Sequence, residues 1–482
     1  EESPDFLRRG FHVWGDRDCG NEFFLWMVRN RLNYWTVDNQ PIAFLKKLGM
    51  KLTAGGHEMQ ELFLHPENEY PYDHAKFEGD EEFEEDPYGI SEEYKGNENE
   101  DGVLSYFEAH PEWYGFHDGK RSYNMAGWQG DNFCTSNAEA RAEMAKNFVQ
   151  ALIDGVYANA DIVKYSMLDG ARWCECEECK KSGSCTDRLF SIIGDILKEM
   201  EEAESEGRLV REVHIKVTAY MNTKHPPQRD MPENFDYDKC SVTFYPINRC
   251  YVHSLADPGC SEINASIRKS YLGWTQGQSR KYKGSMMIGE YYNISSLKSL
   301  PTLYTKIMAA DIPWYRRTGT KHFMYMHTPT RLWGTWRLNQ NLMAKLVWDI
   351  DTDVEGFLDV YFESCYPNTS ESMLKFYENL ETAMCQTKAF KHFVRTTKGP
   401  FTFRSWTGLI TGKKKNIFPL DHFKYEKYEP VVNDGPDMVE LMDHLRVARG
   451  AIDEALIKCE DVGEQRRILA DERRFVYGEY MM

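Results

Sequence analysis

The stretch DIVKYSML (161–168) is a short apolar run that is followed by a polar loop and then by a helical pattern. Its length and its β-branched and aromatic residues are typical of a buried strand. The same order of run, loop and helix recurs along the first two thirds of the chain. The runs are RGFHVWG (9–15), RLNYWTV (31–37), KLTAGG (51–56), a weak one at 114–128, DIVKYSML (161–168), VHIKVTAY (213–220), CSVTFYP (240–246), GSMMIGEYY (284–292) and KHFMYMH (321–327).

Strands that alternate with helices predict a parallel sheet. About eight such units in roughly 330 residues favour a (β/α)8 barrel over an open doubly wound sheet. No glycine-rich phosphate-binding fingerprint follows any of the runs. We therefore predict an α/β fold with a (β/α)8 barrel over residues 1–335 and a mainly helical C-terminal region over 336–482 that packs on the barrel. An acidic insertion at 66–105 is expected to be a solvated loop or a lid over the barrel mouth.

The composition excludes some partners and favours others. The chain has 482 residues and a net charge of -18, so it repels phosphate backbones and nucleic acid is not expected as a partner. No apolar run is long enough to span a membrane. Aromatic residues make up 14% of the chain, and their flat faces can stack on sugar rings. A glycan is the partner that this composition favours.

Two carboxylates, Asp169 and Glu290, each follow a strongly apolar run. A barrel enzyme builds its active site at the C-terminal ends of its strands. Glycoside hydrolysis needs a carboxylic acid that protonates the leaving oxygen and a second carboxylate that attacks or activates water. We expect Asp169 to be the general acid and Glu290 the nucleophile or base, so that Glu290→Gln lowers kcat by orders of magnitude. The structural alternative is a helix cap or a pair with an arginine.

Further polar and aromatic residues lie near the ends of the predicted strands. His57 is a candidate to orient a hydroxyl or to act as acid or base, and a buried, hydrogen-bonded histidine is the structural alternative. An arginine can bind a substrate carboxylate through its planar fork, and a tryptophan can stack on a sugar. The candidates for substrate binding are Arg17, Tyr220, Tyr245, Tyr291, Asn293, His327, Arg331, Trp333 and Trp336.

Four cysteines follow Asp169 closely. Cys174, Cys176, Cys179 and Cys185 have the spacing C-x-C-x2-C-x5-C. They could hold a structural zinc, form disulfides or remain free buried thiols. Four soft ligands without a histidine are typical of a closed site, so no cofactor is expected for catalysis.

Several stretches together resemble the bacterial family called domain of unknown function 4838, and the resemblance covers residues 5 to 380. They are VRNRLNYW, AGGHEMQ, HPEWYGFHDGKR, NFCTSNAEAR, SMLDGARWCECEECK, VTAYMNTKHPP, IGEYYN and LMAKLVWDIDTDVEGFLDVYF. The resemblance implies a (β/α)8 barrel, a role in polysaccharide utilisation and an exported protein. HPEWYG and DGKR are also similar to a stretch of barrel α-glucuronidases.

Two departures from the family pattern accompany this resemblance. Family members often have aspartate where this chain has Glu290. The resemblance therefore does not decide whether this carboxylate is the nucleophile or the base. They also often have a small domain ahead of the barrel, and here the first predicted strand begins near residue 9. The resemblance therefore leads us to expect that such a domain is missing or was removed.

The residues and the resemblance together predict a glycoside hydrolase that acts on a glycan by paired-carboxylate catalysis. The more specific expectation is an exo-acting enzyme for an acidic sugar such as a uronic or sialic acid. One alternative is a barrel that binds carbohydrate without turnover. Another is a polysaccharide lyase, in which His57 and Tyr220 supply the base.

Overall fold

The structure is a computed structural model. It describes residues 3–12, 20–36, 41–78, 83–124, 130–247, 249–251, 253–260, 264–277, 279–292, 300–326, 333–386 and 438–481. Among these residues, no helix is both long enough and apolar enough to cross a membrane.

Eight short parallel strands close into a barrel, as the sequence predicts. They are β1 (Arg8–His12), β2 (Tyr34–Thr36), β3 (Lys51–Ala54), β8 (Ile162–Tyr165), β9 (His214–Ala219), β10 (Cys240–Phe244), β11 (Ser285–Glu290) and β12 (His322–Met326). Each strand pairs with the next in this series, and β1 pairs with β12 to complete the circle. Asp169 thus follows the fourth barrel strand, and Glu290 ends the seventh.

The weak apolar run at 114–128 is not a barrel strand. Its described part forms an antiparallel hairpin of β6 (Gly115–His117) and β7 (Lys120–Ser122) outside the barrel. Asp118 and Gly119 between them both have positive φ angles, 51° and 81°. Two such residues form the tight turn whose twist matches that of a hairpin. Two further short strands, β4 (Tyr72–Asp73) and β5 (Glu84–Glu85), pair within the acidic insertion.

Helices surround the barrel and form the C-terminal region. They are α1 (Asn21–Arg29), α2 (Ile42–Lys47), α3 (Met59–Phe63), α4 (Tyr106–Ala109), α5 (Ala138–Ile153), α6 (Glu177–Lys181), α7 (Cys185–Ser205), α8 (Asn264–Thr275), α9 (Thr305–Arg317), α10 (Trp336–Trp348), α11 (Val354–Cys365), α12 (Ser370–Glu381), α13 (Met438–Lys458) and α14 (Val462–Met481). Helix α10 packs on β1 and α9, so it occupies the place of the eighth barrel helix. The C-terminal helices pack on one another, and α12 lies along α13.

The acidic insertion is anchored to α5 through a buried carboxylate. Glu143 is fully buried, and it accepts hydrogen bonds from the hydroxyls of Tyr72, Tyr88 and Tyr106 at 2.7, 2.8 and 2.6 Å. A buried charge needs such donors to replace the water that it has lost. Tyr72 and Tyr88 therefore hold the insertion against α5, whereas a wholly solvated loop would leave both hydroxyls in water.

We expect Glu143→Gln to lower the free energy of unfolding by about 3 kcal/mol, because it weakens three charge-assisted hydrogen bonds in a buried position. Chemical denaturation measures this quantity. The control is Glu201→Gln on the exposed side of α7, which should leave stability unchanged. Equal stability of the two variants would show that the tyrosine hydroxyls do not depend on Glu143.

Candidate active site

The direction of each side chain at the barrel mouth follows from its place along the strand. Successive side chains of a strand point to opposite faces. Lys164 of β8 and Thr218 of β9 both line a pocket inside the C-terminal end of the barrel. Tyr165 lies between the inward positions 164 and 166, and its ring instead packs on Phe148 of α5, with centroids 5.8 Å apart. Every second residue of each strand can therefore reach the cavity.

Two adjoining pockets at this end of the barrel form the candidate site. Both are lined by His57, Asp169, Thr218 and Tyr220. The second pocket is also lined by Lys164, Tyr245, Tyr291 and Met326. A larger groove of about 790 Å³ lies between α9, α11 and α12, but none of the predicted site residues lines it. The structure thus brings Asp169, His57 and three predicted tyrosines together.

His57 is held in one orientation by the loop that carries Asp169. Its Nδ1 lies 2.6 Å from the carbonyl oxygen of Met167. A carbonyl can only accept, so Nδ1 carries the hydrogen. Burial, and next the charge of Lys164, lower the pKa of His57 below its usual value. In the neutral ring Nε2 is then unprotonated and able to accept a proton.

Lys164 places an amine at the base of the cavity. Burial and the neighbouring Lys216, its register partner on β9, lower the pKa of Lys164 to about 8. Glu58 and Asp169 oppose this shift with their negative charges. Deeper in the barrel, burial and the charge of Arg8 lower the pKa of Lys216 to about 7. Sequence reasoning missed Lys164, although a single lysine inside an apolar strand was a visible signal.

Asp169 acts electrostatically on most of the cavity. Burial raises the pKa of Tyr220 to about 12, and the charge of Asp169 adds to the effect. The ring centroids of Tyr220 and His57 are 6.3 Å apart, and those of Tyr220 and Tyr245 are 6.2 Å apart. Asp169 therefore lies among groups that can donate, accept or stack.

Glu290 does not lie in this cavity. A Cβ atom added at Gly289 would meet the ring of Tyr245 at 2.5 Å, so position 289 faces the barrel interior. Tyr291 lines the cavity two residues further on. Glu290 lies between these two inward positions, and its side chain points outward to α9.

The outward side chain of Glu290 belongs to a fully buried ion-pair network. Arg249 Nη1 lies 2.5 Å from Glu290 Oε1 and 2.7 Å from Asp311 Oδ2. The hydroxyl of Tyr315 on α9 also donates to Glu290. Burial raises the pKa of Glu290, and the charge of Arg249 opposes the rise. The network fixes the end of β11, since the backbone N–H of Tyr291 also donates to Glu290 Oε2 at 3.1 Å.

The tryptophans predicted to stack on sugar lie elsewhere. Trp336 is only 1% exposed, its indole N–H donates to the carbonyl of Leu300, and Arg474 lies over its ring. It cannot stack on a substrate, because it is the buried first residue of α10, so this prediction is wrong. Trp333 is half-buried and packs edge-on against Trp26 at 4.8 Å, so its role stays a prediction. Four predicted binding residues lie outside the described residues: Arg17, Asn293, His327 and Arg331.

Four cysteine sulfurs converge beside the loop that carries Asp169. They belong to Cys134, Cys174, Cys176 and Cys179, and all lie within 4.8 Å of one another. Cys185, predicted as the fourth member, is instead the first residue of α7 and lies outside this group. The spacing suggested Cys185 because it is near in sequence, whereas Cys134 is brought in by the loop before α5. The described cysteines form no disulfide.

The sequence profile of the domain of unknown function 4838 (DUF4838) matches residues 57–379, which is more than half of the chain. The chain belongs to the DUF4838 family. The matched region of this DUF4838 protein includes the whole described cavity and all four converging cysteines. No curated protein matches the chain by sequence.

Two solved structures are similar to this DUF4838 protein to different degrees. The match to a GH138 enzyme targeting pectin rhamnogalacturonan II covers 100% of this chain and 71% of the chain of that enzyme, at 11% identity and a TM-score of 0.50. The match to a glycoside hydrolase family 5 enzyme from Prevotella bryantii B14 covers 73% of this chain and 98% of the chain of that enzyme, at 10% identity and a TM-score of 0.39. At 11% identity the likeness to the GH138 enzyme concerns the fold alone. This DUF4838 protein thus shares a barrel fold with the GH138 enzyme.

We expect Glu290→Gln to lower the free energy of unfolding by about 3 kcal/mol, because Arg249 loses one of its two buried charged partners. Denaturation of this variant, beside the exposed control Glu233→Gln, measures the loss. Unchanged stability together with a collapse of turnover would instead indicate the nucleophile or base that the sequence predicts at this position.

Proposed function

We propose that this DUF4838 protein hydrolyses glycosidic bonds and that Asp169 is the acid that protonates the leaving oxygen. One observation carries the proposal. Asp169 is the only carboxylate on the walls of the described cavity, which opens at the C-terminal end of a closed parallel barrel. Barrel enzymes perform their chemistry at this end. The glycoside hydrolase-like fold supports the proposal.

His57 is our candidate for the second group that hydrolysis needs. Its Nδ1–H is engaged by Met167, so its Nε2 can accept a proton from a water molecule that attacks the sugar. The strand-end pattern predicted this second role for Glu290, but the side chain of Glu290 points to α9. Asp169 as acid and His57 as base would both act from the same cavity.

Three tyrosines form the surface on which a sugar ring would rest. Tyr220, Tyr245 and Tyr291 line one pocket, with ring centroids 6.2 Å apart between Tyr220 and Tyr245 and between Tyr245 and Tyr291. Aromatic faces cover the C–H face of a pyranose, and phenol hydroxyls bond its polar edge. Exo-action on one terminal sugar stays a prediction.

Lys164 supports an acidic sugar as the substrate. It is the only cationic side chain among the described cavity walls, and the negative charges of Glu58 and Asp169 raise the pKa of its amine. In its protonated form, Lys164 can pair with the carboxylate of a uronic or sialic acid. The predicted arginine partners, Arg17 and Arg331, lie outside the described residues, so Lys164 is the cation on which this proposal rests.

A polysaccharide lyase is the second candidate, and the same cavity favours it. A lyase needs a base and a group that neutralises the carboxylate of a uronate. His57 and Tyr220 lie side by side, and Lys164 lies in the wall below them. A lyase releases an unsaturated uronate that absorbs ultraviolet light, whereas a hydrolase product does not. Absorbance during turnover therefore separates the two candidates.

We expect Asp169→Asn to lower kcat on an aryl glycoside by about 10²- to 10⁴-fold, because it removes the proton donor. A panel of neutral and acidic aryl glycosides identifies the substrate first. The control is Asp230→Asn, whose carboxylate is 90% exposed, and its activity should equal that of the wild type. Wild-type turnover in Asp169→Asn would remove Asp169 from the mechanism. Binding without turnover across the panel would indicate a carbohydrate-binding protein.

We expect the KM for an acidic glycoside to rise as the pH passes above about 8. Lys164 has a pKa of about 8, so its amine is protonated below that pH and neutral above it. A neutral amine no longer attracts the substrate carboxylate. Lys164→Met should raise KM at pH 7 and remove this pH dependence. Lys216→Met should keep the dependence but move it to higher pH, because it removes a charge that lowers the pKa of Lys164. A KM in wild type that is flat from pH 7 to 9 would contradict the acidic substrate.

A further inference from the structure

We propose that Cys134, Cys174, Cys176 and Cys179 bind one zinc ion as four thiolates, in a structural site that is separate from the proposed catalytic cavity. Three of these cysteines follow β8, and Cys134 comes from the loop before α5. The inference does not depend on the proposed function.

The distances between the sulfur atoms are those of a tetrahedral metal site. Cys134 Sγ lies 3.7 Å from Cys176 Sγ and 3.8 Å from Cys179 Sγ. Zn–S bonds of about 2.3 Å in a tetrahedron place the sulfurs about 3.8 Å apart. Sulfurs joined in a disulfide lie about 2.05 Å apart, which is much closer. All four sulfurs lie within 4.8 Å of one another, so a single ion placed among them can reach each of them.

The surroundings of the sulfurs suit thiolates. The backbone N–H of Phe116 donates to Cys174 Sγ at 3.2 Å, and the N–H of Cys179 donates to Cys176 Sγ at 3.4 Å. Four thiolates and one Zn²⁺ carry a net charge of about -2, which needs a neighbouring cation or donors. Arg188 is buried next to the group and donates to the carbonyl of Cys174 at 3.2 Å.

The ligand set indicates a structural rather than a catalytic ion. Cys134, Cys174 and Cys179 are buried, and Cys176 is half-buried. Four protein sulfurs complete a tetrahedron and leave no position for a reacting water. The ion would act as a cross-link between two segments that are 40 residues apart in the chain.

The cross-link joins the loop of Asp169 to the loop before α5. The side-chain oxygen of Asn132 accepts the N–H of Leu168 at 3.0 Å, and the N–H of Arg172 donates to the carbonyl of Gly130 at 3.0 Å. These contacts lie on either side of Asp169, and the four cysteines close the same pair of loops a few residues further on. Zinc would therefore hold Asp169 in place without touching the substrate.

The test compares the metal content of purified wild type, Cys134→Ser and Cys185→Ser, all kept under reducing conditions. We expect the wild type and Cys185→Ser each to contain one more zinc ion per chain than Cys134→Ser. Cys185 is the matched control, because it is near in sequence but outside the group. Equal zinc in Cys134→Ser and wild type would overturn the proposal, and so would loss of zinc from Cys185→Ser alone.

A second measurement needs no variant and covers the case in which Cys134→Ser does not fold. Native alkylation of the wild type, read by peptide mass spectrometry, should spare the four cysteines until a chelator removes the metal. Replacement of zinc by Co²⁺ should give the strong visible absorption of a tetrahedral tetrathiolate site. Alkylation that a chelator does not change, or a disulfide between any two of the four, would overturn the proposal.

Discussion

The alternation of side chains along the closed barrel wall decides which residues can take part in chemistry. Lys164 and Tyr291 point inward and meet at one cavity, together with Asp169 and His57 from the loops. Glu290 lies one position before Tyr291, so it points to the helices, where Arg249 neutralises it. A shift of one residue in β11 would exchange these roles. The wall itself is fixed by the pairing of β1 with β12, because a closed sheet leaves no freedom of register.

This barrel keeps ionisable groups in its interior at a cost in stability. Lys164 and Lys216 occupy paired positions on β8 and β9, and burial lowers the pKa of each. A lysine that binds its proton less tightly when folded opposes folding at neutral pH. That opposition is fully present below the folded pKa and disappears as the pH rises toward 10.5. A wall that only had to fill space would use apolar residues, so Lys164 at the cavity points to a role in binding.

Much of the fold was predictable from the sequence, because eight apolar runs carry the period and length of buried strands. The weak run at 114–128 was wrongly predicted as a strand of the same series. The Asp118–Gly119 turn makes it a hairpin outside the barrel, which the period of apolar residues does not reveal. Asp169 and His57 could be predicted to lie at the cavity, because loop residues at strand ends escape the alternation rule. Glu290 was predicted as a site residue because it follows an apolar run. That prediction did not consider on which face of the strand its side chain lies. Cys134 was missed as a member of the cysteine group, because a spacing motif identifies only residues that are close in sequence. It lies in NFCTSNAEAR, which was among the stretches that resemble the family.

The cavity and the cysteine group together describe a barrel mouth in which one loop carries both the proposed acid and its anchor. Asp169 faces the cavity, and five residues later the chain enters the cysteine group. Proton NMR of the purified protein with an oligosaccharide that ends in a uronic acid tests this account most directly. We expect the glycosidic anomeric signal to be replaced by the anomeric signals of the free acidic sugar. A vinyl proton signal from an unsaturated uronate, or binding without any new product, would contradict it.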